Sequence, residues 1–212
     1  MQIENLQCDI LGVFDGICYV TDRDGIIQSI GSANWNKFAS ENGAASLTAD
    51  SVIDRSVLDF IDGDEIRNAF RDILKTMLTS DNTSWVMPYR CSSPGTIRNM
   101  RLSIKPVRDR NVVQGFLFQS ILLTEEMRPP LDLFDFEAVS THLNSRRELP
   151  LVVICAWCQN IKQEEDNRIE WIEAEEFYRR GGTSNVNLTH SICDSCRSCS
   201  EDGFVRHGPA RN

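Results

Sequence analysis

The chain has 212 residues, 41% of them apolar and 25% charged, with a formal net charge of -9 and eight cysteines. This length accommodates one full hydrophobic core plus a smaller unit, and the composition is that of a globular protein. The acidic balance, with no Lys/Arg stripe to neutralise phosphates, weighs against a nucleic-acid partner.

Residues 1–15 lack a basic stretch followed by an apolar run, so nothing reads as a signal peptide. The most apolar segment, residues 149–157, contains Pro150 and is far shorter than the ~18 residues of a membrane helix. A cytoplasmic location with no membrane partner is therefore expected. In that reducing compartment cysteines read as metal ligands or free thiols rather than as a disulfide frame.

Residues 2–14 carry Ile3, Leu6, Ile10, Leu11 and Phe14 near helical spacing and predict a short amphipathic helix, serving as a lid or as a dimer contact. β-Prone runs at 17–21 and 26–30 flank Asp24-Gly25, a hairpin signal. Trp35 and Phe38 share one face of a helical turn or two in residues 32–40, and an Ala/Ser/Gly-rich connection follows at 42–48. In residues 65–78, Ile66, Ala69, Phe70, Ile73, Leu74 and Met77 make a stripe at helical period, with Asp64 the expected N-cap. Strands are predicted over 85–91, 98–107 and 112–123; in the second, Met100, Leu102 and Ile104 alternate with Arg101, Ser103 and Lys105, so one sheet face is wet. Pro129 and Pro130 break the structure after the last strand, and residues 132–149 predict a connector helix without sustained heptads.

Gly16-Ile-Cys-Tyr-Val-Thr-Asp-Arg-Asp-Gly-Ile-Ile27, then Asn34-Trp-Asn-Lys-Phe38, then Val112-Val-Gln-Gly115 leading into a long strand, occur in an order and at spacings that resemble a PAS domain over residues 6–125. The resemblance implies an α+β fold: a PAS-like five-stranded antiparallel sheet with flanking helices, a pocket between sheet and helices for a small-molecule ligand, and a homodimer. Candidate pocket residues are Phe60, Phe70, Trp85, Met100, Phe116 and Phe118, which serve equally well as a sheet core with no ligand. The cysteine motif of flavin photoreceptors is absent, and residues 16–125 contain no histidine to ligate haem, so neither haem nor flavin is expected.

Two cysteine doublets dominate the second half: Cys155-Ala-Trp-Cys158 and Cys193-Asp-Ser-Cys196. Each presents two soft sulfurs on one turn, and two such turns make the four-thiolate tetrahedron that Zn²⁺ prefers. The 34 residues between them must carry structure of their own. A strand-like approach at 151–154, a polar loop at 160–167 and an amphipathic helix at 170–179, ended by Gly181-Gly182, are expected there. Cys155, Trp157, Cys158, Trp171, Glu175 or Glu176, Tyr178, Ser191, Cys193 and Cys196 resemble the C-terminal module of a set of bacterial PAS-containing regulatory proteins. His190 is either an alternative ligand replacing one sulfur or a donor behind a ligand. A reversible dithiol, making the chain a thiol-based redox sensor, and an iron–sulfur cluster are the competing uses of the cysteines.

The expected organisation is a PAS-like sensory unit at 1–126, a junction and connector at 127–150, a small zinc-ribbon or knuckle-like α+β module at 151–199 and a flexible tail at 200–212. The zinc is expected to hold the last module together without being required by the PAS-like core. A zinc with four protein ligands has no open position for water, and no P-loop, nucleophile elbow or His-Glu-x-x-His is present. The expected function is therefore a non-enzymatic signal-sensing or adaptor protein working through a protein partner. The rival reading is a transcriptional regulator whose zinc module contacts DNA.

Overall fold

The structure, a computed structural model, describes residues 10–80, 83–135, 149–165 and 168–206. The Asp24-Gly25 turn folds as its composition predicts. Gly25 takes φ +84°, and the Asp22 carboxylate accepts from the backbone N–H groups of Asp24 and Ile26, both at 2.9 Å. The turn joins β1 (Ile17–Asp22) to β2 (Ile27–Ile30), which pair antiparallel.

α1 (Ser32–Glu41) and the short α2 (Ala49–Val52) lead through a 3-10 turn at Val57–Phe60 to the longest helix, α3 (Asp64–Thr79). The predicted stripe is the buried face of α3: Ile66, Phe70, Ile73, Leu74 and Met77 are all inside. Its N-cap is Gly63 rather than Asp64. The chain enters the helix at φ +89°, a conformation that favours glycine, and Asp64 occupies the first helical position instead, pairing with Arg67 at 2.7 Å.

Three long strands follow: β3 (Thr83–Arg90), β4 (Thr96–Asp109) and β5 (Val112–Met127), each antiparallel to the next. Beyond a 3-10 turn at Asp132–Phe134, the second half contains β6 (Leu151–Cys155), β7 (Ile161–Glu165), β8 (Arg168–Ile172), α4 (Ala174–Arg179), β9 (Asn187–Ser191), α5 (Asp194–Glu201) and β10 (Phe204–Arg206). The large sheet runs β10-β3-β4-β5-β1-β2, and a smaller one runs β8-β7-β6-β9 with β6 and β9 parallel. Among the described residues no helix is long and apolar enough to cross a membrane.

Three expectations are corrected here. The large sheet has six strands rather than five, because part of the expected tail returns as β10 against β3, pairing Phe204 with Trp85 and Arg206 with Thr83. Gly203 permits this approach, since a Cβ there would lie 2.7 Å from the Val86 carbonyl oxygen and 2.8 Å from the Trp85 indole nitrogen. A three-residue strand carries too little alternation to be visible in sequence. Residues 161–165, expected as loop, are a strand, and the expected helix at 170–179 is divided between β8 and a helix that starts only at Ala174. The hairpin pairs Ile161 with Ile172, each strand burying a single isoleucine, so its period-2 signal is lost among Gln, Glu and Arg. Of the helices expected over 2–14 and 132–149, only the 3-10 turns at Leu11–Val13 and Asp132–Phe134 are described in full; residues 2–9 and 136–148 lie outside the described residues.

Candidate metal centre and adjoining cavity

The turn after β6 brings Cys155 and Cys158 to one point. The Gln159 N–H closes it onto the Cys155 carbonyl at 2.9 Å, and Gln159 itself adopts φ +62°, which bends the chain back into β7. The second doublet is placed by a helix start: Cys193 is the N-cap of α5, its sulfur accepting from the Cys196 N–H at 3.4 Å. Parallel pairing of β6 with β9, up to Cys155 opposite Ser191, carries the two turns to the same end of the small sheet.

The sulfur atoms of Cys155, Cys158, Cys193 and Cys196 all lie within 4.8 Å of one another. A regular tetrahedron of Zn–S bonds of about 2.3 Å has edges of about 3.8 Å. The Cys158 and Cys193 sulfurs are 3.7 Å apart. The donor set therefore fits a thiophilic divalent ion on both chemistry and spacing.

Backbone N–H groups support the negative form of these sulfurs. The N–H of Cys193 donates to the Cys155 sulfur at 3.5 Å, and those of Cys158 and Asn160 face the sulfurs of Cys155 and Cys158. Among the four thiols themselves, hydrogen bonding from Cys158 and Cys196 holds Cys155 far below its ordinary pKa, while hydrogen bonding to Cys155 pushes Cys158 up to about 12 and raises Cys196 as well. The cluster thus concentrates one thiolate, and a cation would draw the remaining protons off. All described cysteines are free thiols. His190 is not part of the sulfur cluster: its Nδ1 is 3.2 Å from an Asp62 oxygen.

The cysteine centre is not a separate body hung on the large sheet. Cys155, Trp157, Ile192, Cys193 and Cys196 belong to the same buried cluster as Phe70, Trp85, Met87 and Phe118. The rings of Trp157 and Trp85 are 6.4 Å apart, the Trp85 indole N–H donates to the Ser200 carbonyl at 2.9 Å, and the Trp157 carbonyl accepts from the Arg90 N–H at 2.6 Å. Polar contacts surround this apolar seam. Glu65 accepts from the Ser191 hydroxyl at 2.6 Å and also pairs with Arg197, while Arg90 pairs with Glu173. Arg128, its side chain 7% exposed, reaches Glu175 at 3.2 Å and the carbonyls of Ser93 and Pro94, and lies over the Phe134 ring. The expectation that the metal serves only the C-terminal segment meets a shared core. The small sheet keeps a second core of its own around Leu133, Phe134, Ile154, Ile161 and Phe177.

A cavity of about 470 Å³ lies where these parts meet. Its floor is the large sheet, through Ile17, Tyr19, Met87 and Leu102; its helical side includes Trp35, Phe60, Ile66 and Phe70; its remaining wall is Ala156, Trp157 and His190 from the cysteine segment. Of the six residues expected in the pocket, Phe60, Phe70 and Trp85 line it, whereas Met100, Phe116 and Phe118 do not. Those three are buried in the sheet packing, and Tyr19 stacks on Phe118 at 4.7 Å and screens it. Sequence reasoning missed Tyr19 and Tyr89, which inward alternation with Ile17 and Met87 would have found. It also missed Trp157, read only as part of a ligand turn. The polar side chains in the wall include the Tyr89 and Ser120 hydroxyls, which bond to each other, and the Asp62–His190 pair; burial pushes the Tyr89 phenol up to about 12, keeping it neutral.

Compared with solved structures, the chain is similar to the PAS domain of Bordetella pertussis BvgS, at 17% identity and a TM-score of 0.43 over 58% of this chain and 87% of that one. It is similar to Vibrio cholerae VqmA, described as a dimer with a DNA target, at 16% identity and a TM-score of 0.41 over 67% of this chain and 57% of that one. A sensory box sensor histidine kinase from Vibrio cholerae matches at 10% identity and a TM-score of 0.39 over 57% of this chain and 91% of that one. The chain spans little more than half the length of VqmA, and at these identities and TM-scores the likenesses say nothing of ligand or partner. No protein-family model and no curated protein matches the chain.

Proposed function

We propose that the protein is a non-enzymatic signalling module of the PAS kind, in which a small, mainly apolar ligand in the cavity sets the position of a zinc-bound cysteine segment. That segment passes the state of the cavity to a protein partner. The observation that carries this reading is the shared wall: Ala156 and Trp157, between the paired cysteines, face the same cavity as Tyr19, Phe60 and Phe70 of the PAS-like half. A ligand resting on Trp157 presses on a turn whose two ends are sulfur donors, so its binding energy is directed at the output element. Four protein donors leave the ion no open position, which fits a structural rather than hydrolytic role. Exposed Ile10, Val13 and Phe14 support a homodimer contact beside the sheet.

Thermal-shift screening of planar apolar metabolites against the wild type and Leu102→Trp, which fills the cavity, tests the reading. A compound that raises the midpoint of the wild type and leaves the variant unmoved is expected; stabilisation of both alike would contradict a cavity ligand. Around α5, Arg197 is outweighed by Asp194, Glu201 and Asp202, which favours a protein partner over DNA. Tight, salt-sensitive binding to mixed duplexes would replace that part of the proposal.

A further inference from the structure

We propose that the four-cysteine centre is a second input to the cavity: with an ion bound, the wall is closed and a cavity ligand is held, so metal and ligand bind with positive cooperativity. This rests on the reading of the cavity as a ligand site given above.

Both halves of the centre carry wall. Ala156 and Trp157 lie between Cys155 and Cys158, and His190 lies three residues before Cys193 at the end of β9. Two residues whose neighbours on either side are bonded to one ion cannot move independently of it. Without an ion, the direct links between the doublets are weak sulfur contacts: an N–H···S contact of 3.5 Å, a Cys158–Cys193 sulfur–sulfur contact of 3.7 Å, and thiol hydrogen bonds from Cys196 to Cys155 and Cys158. Besides the packing of Trp157 on Trp85 and the β6–β9 pairing, three hydrogen bonds tether the turn to its surroundings. They are the Ala156 N–H on the Ser191 carbonyl at 2.9 Å, the Arg90 N–H on the Trp157 carbonyl, and the Ser92 N–H on the Gln159 side-chain oxygen at 3.2 Å. Metal loss is therefore expected to free the wall while the β3–β4–β5 ladder persists. Since binding free energies are linked, whatever the ion does for the ligand, the ligand does for the ion.

The lining also defines the class of ligand. Tyr19, Trp35, Phe60, Phe70, Trp85 and Trp157 present ring faces and edges, the Tyr89–Ser120 hydroxyl pair supplies one polar contact, and the Asp62–His190 pair supplies a second. A planar, uncharged aromatic molecule with one or two polar groups at its edge fits that surface.

The neutral fluorescent probe N-phenyl-1-naphthylamine tests the coupling on the full chain. It would be titrated into protein loaded with one Zn²⁺ per chain, into protein stripped by a chelator that is then removed, and into the stripped protein after Zn²⁺ is restored. Stripping is expected to weaken the probe at least tenfold and restoration to recover it. Reciprocally, saturating probe should slow transfer of Zn²⁺ to a chromogenic chelator, and that slowing should vanish in Leu102→Trp. Equal probe affinity with and without metal would overturn the coupling and leave the cavity-sensor reading standing. A probe that binds loaded wild type and Leu102→Trp equally, or neither, would overturn both. Loss of the large sheet's circular dichroism on stripping would also overturn it, since the metal would then be holding the whole fold rather than one wall.

Discussion

The two halves of this molecule are held by different physics and meet in one core. The large sheet is stabilised by long ladders and by burial of wide aromatic and aliphatic side chains, with Trp85, Met87, Ile104, Phe116 and Phe118 at 0–1% exposure. The cysteine segment has strands of five residues, a core of small extent and four sulfurs at its centre. A unit of that size does not bury enough apolar surface to offset the entropy of ordering its loops, so it draws on its neighbour, and its four sulfurs are spaced to draw on a metal ion as well. The lesson is that the proposed site of coupling is also the site of borrowed stability: Trp157 belongs to the small unit by sequence and to the large core by packing.

The comparison can be broken most forcefully at the metal. Cys193→Ser is expected to abolish stoichiometric zinc by elemental analysis and to expose residues after about 149 to protease; retention of one zinc per chain would contradict the four-sulfur centre. Next comes the seam. Trp85→Ala removes a buried indole and one of the donors to the Ser200 carbonyl, the Gly203 N–H remaining, and is expected to cost about 3–5 kcal/mol in denaturant titrations. The variant should also loosen β10. A loss below about 1 kcal/mol would mean that the two halves do not share a core.

Smaller effects sharpen the picture at the polar rim. Arg128→Ala takes one of two donors from each of the carbonyls of Ser93 and Pro94, which keep the N–H groups of Thr96 and Leu131, and unpairs Glu175; about 2 kcal/mol is expected, less than for a fully buried pair because Glu175 is 37% exposed. Glu65→Gln is expected to cost about 1 kcal/mol at neutral pH. The Ser191 hydroxyl, with the Arg197 guanidinium and the Ile192 N–H, holds the Glu65 carboxyl below its ordinary range. The folded chain thus binds this proton less tightly than the unfolded chain does. The stabilisation is complete above the ordinary carboxylate pKa of about 4.3 and is lost as pH falls through the lowered value. The wild-type advantage over Glu65→Gln should shrink on acidification, and an undiminished difference there would count against this contact.

What could be read from the chain divides along the same line. α3 and five of the six strands of the large sheet announced themselves through their period or their turns; Ile66 to Met77 repeats at helical spacing, and Asp24-Gly25 punctuates the first hairpin. The cysteine doublets were legible because their spacing carries chemistry by itself. The β7–β8 hairpin was not, since one buried isoleucine per strand leaves no alternation to detect. β10 was hidden for another reason: its strand character comes from the exposed edge of β3 and from the missing side chain of Gly203, neither of which lies within residues 204–206. The cavity was half legible. Aromatics could be nominated, but whether Phe118 faces the cavity or lies beneath Tyr19 depends on a cross-strand stack, and Trp157 enters from a segment that sequence assigns to the metal alone.

Hydrogen–deuterium exchange of the full chain, with and without bound zinc at neutral pH, tests the shared core most directly. The account predicts that metal removal speeds exchange not only in residues 151–201 but also at the β3 amides that face the C-terminal segment, Val86 on Gly203 and Arg90 on Trp157, and in the first turns of α3, with the β3–β4–β5 ladder unchanged. Acceleration confined to residues 151–201, with those β3 amides as protected as before, would contradict it.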